Sequence, residues 1–508
     1  MTKKIKIVTF ILLFITLNSF PQVSKESAIK NVEQVLEKLS EYNYGEPQLW
    51  KPELIEGMKP VYSNPEIKKE VEKKMMNFLQ SDASAEAKKA IQKEFAMIST
   101  KDSEEEIIRL LQNEETVNLA LAVLDHARLG SVEQYKKIVP YVSVPAKIGI
   151  VNLLGNREDE EAIQFLSTMA QKENDEVKLA AISALASIAT KPSVESLMEV
   201  SKTLPAAYAL EVNEEKLIAA YGLLEKGDKN EAQEIFENLS KANQLSIQAA
   251  ALNGLFELSS EKNKFIKEQL EKCDEPELRK EIIRLVIKLP DNYKKGSEFF
   301  VARDLSVSEK VQLLSILGDR KDDSIHDEVI DYLKNENQDL RLAALEIIPE
   351  TGSAKDVMLL AETAAESGGS EKQLAQSALY TLPGQEVNQK IISLLPSASP
   401  EVKVELIQAA GERNMTEAAG ELFTLANSEN SKVKNEAIEA LGKVAHYSEL
   451  EKLTGLLSDA GSPRERKALE DAVYLVAVRN PEISKSSEVI VKGLKNVDNS
   501  DNIASLLS

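Results

Sequence analysis

Three segments of the sequence can be laid over one another without gaps, and this self-similarity constrains the fold more than any other feature. The segments begin at Gly155, Gly318 and Gly411, and in each an arginine follows two residues later. The other matching positions are small or apolar and recur at helical spacing, so the repeated object is predicted to be a packed helical unit. These positions include Leu166, Val329 and Leu422, then Ala181, Ala344 and Ala437, then Leu185, Ile348 and Leu441.

The interval of 93 residues from Gly318 to Gly411 is the basic period, and it accommodates three helical hairpins. The longer interval that precedes it holds additional helix pairs. One of these, at about residues 205–241, resembles a tetratricopeptide-type hairpin. Within the unit at residues 399–457, Gly411 and Gly442 are expected to supply the left-handed conformation that ends a helix. Asn430 is expected to cap the helix that follows it.

The composition favours helices throughout. Aromatic residues make up only 5% of the chain, and no stretch shows the alternation of a β-strand. We therefore predict an all-α fold, a right-handed solenoid of antiparallel helix pairs whose core is distributed over neighbouring repeats.

The first 22 residues have the pattern of a secretory signal peptide. Lys3, Lys4 and Lys6 precede the apolar run 7–17, which is shorter than the roughly 20 residues that a spanning helix needs. A membrane anchor is the alternative. We expect a secreted or periplasmic protein with no membrane span in the mature chain.

The charge of the chain excludes one class of partner. The formal net charge of −21 would become −24 on removal of residues 1–22, which hold three lysines and no acidic residue. Nucleic-acid binding needs a basic stripe, and the sequence contains only scattered lysine pairs, so we predict no nucleic-acid partner. The single cysteine, Cys273, cannot form an intrachain disulfide, and its thiol is expected to be buried or incidental.

Residues 23–64 differ in texture from the rest of the chain. An amphipathic helix is predicted over residues 24–39, followed by a stretch rich in aromatic residues and proline that includes the only tryptophan, Trp50. We interpret this stretch as an irregular cap on the open end of the helical stack. The alternative is a surface on which Trp50 stacks against a ligand such as a sugar ring or a peptide.

Residues 65–508 resemble the HEAT-repeat family. The resemblance rests on the Asp-x-Val-Lys turn at residues 175–178 and on its counterparts in later repeats. In HEAT repeats the basic residue of this turn serves packing and turn hydrogen bonds. The resemblance therefore implies a structural role for Lys178, Arg279, Arg341 and Lys434.

The order of the repeats also resembles secreted bacterial HEAT regions that precede a 3-keto-disaccharide hydrolase domain. Such a catalytic domain would be a β-sandwich, and the sequence has no β-rich stretch that could form one. Residues 501–508 lie over residues 308–315, so the next glycine would fall at position 511, beyond Ser508. We expect a truncated last repeat in a fragment of a longer protein. The alternative is a naturally short terminus.

The sequence contains no recognisable catalytic or metal-binding constellation. His126, His326 and His446 are isolated from one another, and none of the usual nucleotide-binding or hydrolase motifs occurs. We predict no enzymatic activity, no cofactor and no metal site.

The arginines that follow the three glycines are candidates for binding. Arg157, Arg320 and Arg413 recur at the same turn of three units and could bind carboxylates or an acidic chain. The alternative is that each hydrogen-bonds carbonyl groups at a helix end or pairs with neighbouring acids. With Trp50, these arginines are the predicted binding residues.

Two functions follow from these observations. The first is a non-enzymatic scaffold that holds a protein or peptide partner on a concave surface of the repeats. The second is an accessory region of a carbohydrate-active hydrolase, with the carbohydrate link supplied by a missing downstream domain.

Overall fold

A computed structural model of the protein describes residues 24–43, 45–479, 481–494 and 504. Within these ranges the regular elements are α-helices and short 3₁₀ turns, with no β-strand, which confirms the predicted all-α class. The predicted signal peptide at 1–22 lies outside the described residues, as does the predicted truncated repeat at 501–508 apart from Ala504. The chain divides into two compact units, Met1–Leu258 and Ser259–Ser508.

Unit 1 is a succession of helices that pack in pairs. Its helices are α1 (Lys25–Ser40), α2 (Trp50–Ser63), α3 (Pro65–Leu79), α4 (Ala85–Ala90), α5 (Gln92–Ile98), α6 (Glu104–Arg109), α7 (Val117–His126), α8 (Val132–Ile138), α9 (Val144–Asn156), α10 (Ile163–Lys172), α11 (Asp175–Ile188), α12 (Lys191–Ser201), α13 (Ala209–Lys226), α14 (Lys229–Leu239) and α15 (Leu245–Leu258). From α7 onward the odd-numbered helices pack against one another as a row, and α10, α12 and α14 lie in a second layer beside it.

Unit 2 repeats this two-layer arrangement. Its helices are α16 (Lys262–Lys272), α17 (Pro276–Arg284), α18 (Val307–Asp319), α19 (His326–Leu333), α20 (Gln338–Thr351), α21 (Val357–Glu366), α22 (Gly369–Thr381), α23 (Gln385–Leu394), α24 (Pro400–Glu412), α25 (Ala419–Leu425), α26 (Ser431–Val444), α27 (Leu450–Ser458), α28 (Pro463–Val478) and α29 (Ile483–Leu494). The helices α18, α20, α22, α24, α26 and α28 contact one another in succession. We call these six helices the unit 2 row.

Side-chain caps begin many of these helices. The Asn430 carboxamide oxygen accepts hydrogen bonds from the backbone N–H groups of Lys432 and Val433, as the sequence predicts. Asn174 caps α11 in the same way, and Ser306 forms a capping box with Glu309 at the start of α18.

The repeated glycines do not have the role that the sequence predicts for them. Gly411 and Gly442 lie inside helices with ordinary helical backbone, and the left-handed residue that follows α24 is Asn414, at φ 52°. Asparagine tolerates this conformation better than most residues do, so a glycine is not required there. At Gly155 the missing side chain instead allows close helix packing, since a Cβ there would lie 2.7 Å from the Ala184 Cα, whereas a Cβ at Gly411 would make only ordinary contacts, the nearest at 3.4 Å.

The stretch that we interpret as an irregular cap is largely helical. α2 begins at Trp50 and buries Leu54, Met58 and Val61, which recur at helical spacing. The aromatic and proline content of this stretch obscured that spacing. Pro60 lies within the helix and, having no N–H, makes no hydrogen bond to the carbonyl of Glu56.

The described residues contain neither a helix able to span a membrane nor a cluster of metal-binding side chains. None of the helices combines the length and hydrophobicity required to cross a membrane. His, Cys, Asp and Glu side chains do not converge there in a group of three or more that could hold a metal ion.

Candidate binding sites

The three predicted arginines occupy equivalent positions at the ends of row helices. Arg157, Arg320 and Arg413 are the C-caps of α9, α18 and α24, and the residue after each is left-handed, with φ between 51° and 52°. Two backbone hydrogen bonds close each turn, and one of them ends on the carbonyl of the repeated glycine. This geometry is a Schellman motif, which presents the arginine side chain at the helix end.

Each guanidinium hydrogen-bonds carbonyl groups at the end of an earlier helical segment, which for Arg320 is the 3₁₀ turn Leu285–Lys288 that follows α17. Arg413 Nη1 lies 2.8 Å from the Leu382 carbonyl oxygen and 2.9 Å from that of Tyr380, at the end of α22. The other partners are the carbonyls of Leu124 and Gly130 for Arg157, and those of Ile287, Leu289 and Pro290 for Arg320. These contacts match the alternative interpretation, in which the arginines satisfy helix-end carbonyls.

The structure does not bring these arginines together into one site. Arg320 and Arg413 lie on α18 and α24, with α20 and α22 between them in the row. Arg157 belongs to unit 1. Ligand binding by any of the three stays a prediction, and Arg413 is the best placed because it lines an open cavity of about 460 Å³ together with Asn388 and Tyr380.

Sequence reasoning missed a fourth arginine of this kind. Arg479 is the C-cap of α28 and donates to the carbonyls of Gly442, at 2.6 Å, and Lys443, at the end of α26. The residue two positions before Arg479 is Ala477, so a search that starts from glycine passes over it. The signal that could have found it is a cation directly after the last apolar residue of a helix.

The basic residues of the HEAT-like turns hydrogen-bond across neighbouring helices. Arg341 donates to the Glu371 carboxylate at 2.8 and 3.0 Å and to the Asn335 and Glu336 carbonyls. Arg279 similarly contacts Glu309, at 2.5 Å. The predicted structural role is confirmed for these two residues, while Lys434 and Lys178 form the longer ion pairs Lys434–Glu465 and Lys178–Asp175.

Trp50 lines a cavity near the start of the described chain. This cavity measures about 790 Å³ and lies between α2 and the α4–α5 segment. The Trp50 ring is only 8% exposed and meets Tyr42 edge-on at a centroid distance of 5.7 Å. It therefore offers little open face for stacking. Its indole N–H is buried and has no hydrogen-bond partner among the described residues.

A chain of polar side chains runs across the unit 2 row. The Gln376 amide donates to the Glu405 carboxylate at 2.8 Å and to Gln408 Oε1 at 3.3 Å. Gln408 in turn donates to Glu436 at 3.0 Å, and Lys372 donates to Glu405 at 2.6 Å. These bonds connect α22, α24 and α26. Glu405 is buried, whereas Gln376, Gln408 and Glu436 are half-buried groups that retain further donor and acceptor capacity.

The electrostatic environment of this chain is acidic. Burial, followed by the charges of Glu405, Glu412 and Glu436, raises the pKa of the Tyr380 hydroxyl to about 12. Burial, and then the Glu436 carboxylate, raises the pKa of Glu439. A cation that approaches α22, α24 and α26 would therefore be attracted.

Comparison with known proteins supports the helical-repeat assignment. The family model for HEAT repeats matches residues 388–473, from α23 to α28. No curated protein shows a significant match to the sequence. The matched repeats and the packed helix pairs on either side of them support a HEAT-repeat solenoid.

Solved structures resemble the chain only distantly. Kap121p is 11% identical over 95% of this chain and 53% of its own, with a TM-score of 0.31, so this chain spans about half of Kap121p. Kap95p bound to RanGDP is 11% identical over 95% and 66% of the two chains, with a TM-score of 0.29. A homology model of the AP-3 complex is 12% identical over 97% and 93%, with a TM-score of 0.36. TM-scores this low support no statement about function.

Proposed function

We propose that this chain is an exported, non-enzymatic scaffold of HEAT-like repeats that binds a basic segment of a protein or peptide along the unit 2 row. The observation that carries the proposal is the polar chain formed by Gln376, Glu405, Gln408 and Glu436. A glutamine amide can both donate to and accept from a peptide backbone, and carboxylates attract lysine and arginine side chains. Stacked repeats present such groups on successive helices, as an extended ligand requires.

A photo-crosslinking experiment tests this surface. A photoreactive residue replaces Glu439, which is exposed on α26, and in a control chain it replaces Thr424, which is exposed on α25 in the other layer. We expect crosslinks to a discrete partner from position 439 only. Their yield should fall in a Gln376→Ala/Gln408→Ala chain and at high salt, because exposed charges are then screened. Equal yields from positions 439 and 424 would refute the proposed surface.

Export is proposed from the pattern of residues 1–22. The test is to recover the chain from its native cell and determine its N-terminus. Export predicts a start close to residues 19–24 in an extracytoplasmic fraction. A cytoplasmic chain that still begins at Met1 would contradict export and leave the binding proposal standing.

The second proposed function is an accessory region of a carbohydrate-active hydrolase. It rests on the resemblance to secreted bacterial HEAT regions, and α13 and α14 form a helical hairpin at the position of the tetratricopeptide-like insert. Reading the gene beyond the codon for Ser508 tests it. A β-rich downstream domain would favour this function, and an immediate stop codon would exclude it.

A further inference from the structure

A groove lies in the second layer of unit 1, between α12 and α14. Both helices pack against α13, which contributes Leu223 to the base of the groove. The volume of the groove is about 760 Å³, within the range of small-molecule sites. The groove is therefore large enough to hold a small ligand.

The walls of the groove carry apolar side chains. Val194 and Met198 lie one turn apart on α12, and Ile235 lines the groove from α14. Met198 is partly exposed, whereas Val194 and Ile235 are 7% and 6% exposed. Methylene groups of a ligand would cover the exposed part of Met198 and remove it from water.

Three carboxylates without partners line the same groove. Glu195 and Glu199 lie one turn apart on α12, and Glu234 lies on α14. All three residues are exposed, and none has a side-chain hydrogen bond or an ion pair with another described residue. Because these carboxylates are exposed, a cation that enters the groove can reach them and donate hydrogen bonds to them.

Two lysines also line the groove, one at each end of α12. The Lys191 ammonium is paired with Glu231, and Lys202 is the exposed C-cap of the helix. The two lysines are separated by roughly 16 Å along the helix axis, and Glu195 and Glu199 lie between them. Four glutamates and two lysines give the groove a formal net charge of −2. The groove is therefore complementary to a cation.

The spacing of the carboxylates selects the kind of cation. Residues one helical turn apart have Cβ atoms about 5–6 Å apart, so Glu195 and Glu199 offer two negative charges at that separation. Among the described residues, carboxylates do not converge on a point where they could hold one metal ion. Ammonium groups joined by three or four methylene groups, with bonds of about 1.5 Å, have a separation comparable to that of the two glutamates.

We propose that the groove binds a free aliphatic oligoamine, in which ammonium groups alternate with short methylene chains. The ammonium groups donate hydrogen bonds to Glu195, Glu199 and Glu234, and the methylene groups pack against Met198. This site belongs to unit 1 and is independent of the partner surface proposed for the unit 2 row, so either proposal can fail without the other.

Isothermal titration calorimetry of the full chain at low salt tests the site, with spermidine as the probe. We expect saturable binding. Butylamine, which has one ammonium group, should bind at least tenfold more weakly, and so should hexaamminecobalt(III), a compact cation of the same charge as spermidine. Failure of spermidine to bind saturably up to about 10 mM, or equally tight binding of the compact cation, would overturn the proposal.

A lysine-rich peptide is the competing occupant, and it is titrated in parallel. N-acetyl-trilysine amide carries as many positive charges as spermidine, but its peptide groups would lie against the apolar surface of Met198 without hydrogen-bond partners there. We therefore expect weaker binding of the peptide than of spermidine. Binding of the peptide as tightly as spermidine would exclude a groove built for a free oligoamine.

Charge-matched variants locate the bound amine. Glu199→Gln/Glu234→Gln should weaken spermidine binding about tenfold, because an ion pair on each wall of the groove is lost. The control, Glu37→Gln/Glu106→Gln, removes the same charge from exposed glutamates that do not line the groove. It should bind spermidine as the unaltered chain does. An equal loss in both variants would show only the general attraction of an acidic chain and would refute the site.

A third variant should act in the opposite direction. Lys202→Gln removes a positive charge from one end of the groove, so spermidine should bind about threefold more tightly. Lys137→Gln is its control, since Lys137 is exposed on α8 and does not line the groove. Weaker or unchanged binding after Lys202→Gln would contradict a cation held between the two ends of α12.

Discussion

Gly155 of α9 packs directly against Ala184 of α11: a Cβ at residue 155 would lie 2.7 Å from the Ala184 Cα and 2.8 Å from its Cβ. The obstructing atoms belong to a backbone and to a side chain that cannot rotate away. An alanine at position 155 would therefore force two helices of the unit 1 row apart.

Gly155→Ala should destabilise unit 1 by about 1–3 kcal/mol, the usual cost of overpacking a core. Equilibrium thermal unfolding followed by circular dichroism measures the effect. The control is Gly455→Ala in α27, where an added Cβ would meet no atom within 4 Å. That change should stabilise unit 2 by about 0.5–1 kcal/mol, because alanine loses less backbone entropy than glycine in a helix. Destabilisation by both changes would contradict the packing role of Gly155.

Arg413→Gln should loosen the end of α22, because it removes the donor shared by the Leu379, Tyr380 and Leu382 carbonyls. We expect a loss of about 1–3 kcal/mol, as for hydrogen bonds made by charged groups. Hydrogen exchange measured by mass spectrometry should become faster than in the unaltered chain for peptides from α22 and α24. The increase should be smaller for peptides from α28. Arg284→Gln is the control, since Arg284 forms an exposed pair with Glu281 that is worth under about 1 kcal/mol.

The pair Arg341–Glu371 should make unit 2 sensitive to acid. The hydrogen bonds from Arg341 hold the pKa of Glu371 below its usual value of 4.5. The stability that this pair contributes is therefore complete above pH 4.5 and is lost as the pH falls through the lower pKa of the folded state. Urea unfolding across pH 3–7 should show a smaller loss for Glu371→Gln than for the unaltered chain. Parallel pH profiles would contradict this assignment.

The charge of Glu328 should have the opposite effect on the stability of unit 2. Burial raises its pKa, and one of its carboxylate oxygens is buried without a hydrogen-bond partner among the described residues. At neutral pH its charge is unfavourable in the folded state, so Glu328→Gln should stabilise unit 2 by less than about 1 kcal/mol. The benefit should shrink as the pH falls through the raised pKa, because the native glutamate then becomes protonated. A benefit that grows in acid would be inconsistent with this explanation.

Much of the fold could be predicted from the sequence because apolar periodicity determines which face of each helix is buried. The amphipathic helix predicted over residues 24–39 is observed at Lys25–Ser40. The position of Gly411 inside a helix could not be predicted, since glycine equally suits the left-handed residue that follows a helix. Only the position of Asn414 three residues later distinguishes these two positions.

The candidate sites were harder to predict than the fold. The carbonyl partners of Arg413 lie more than thirty residues earlier in the sequence, and no local pattern identifies which carbonyls a side chain will reach. Trp50 stands out by composition alone, but the orphan state of its indole N–H depends on how α2 packs. Lys51, Lys89 and Lys93 line the same cavity as Trp50, but they lie on separate helices and come together only in the folded unit.

The arginine contacts at the helix ends have a further consequence for how such a chain can change in length. Each contact to a carbonyl at the end of the preceding helix joins residues between 27 and 37 positions apart, about the length of one helix pair. No such contact links distant parts of a unit, so loop closure remains inexpensive, and folding can spread from one pair to the next. A gene that gains or loses a whole pair leaves the remaining contacts at their original separations. Insertion of whole helix pairs would produce unequal intervals like those between Gly155, Gly318 and Gly411.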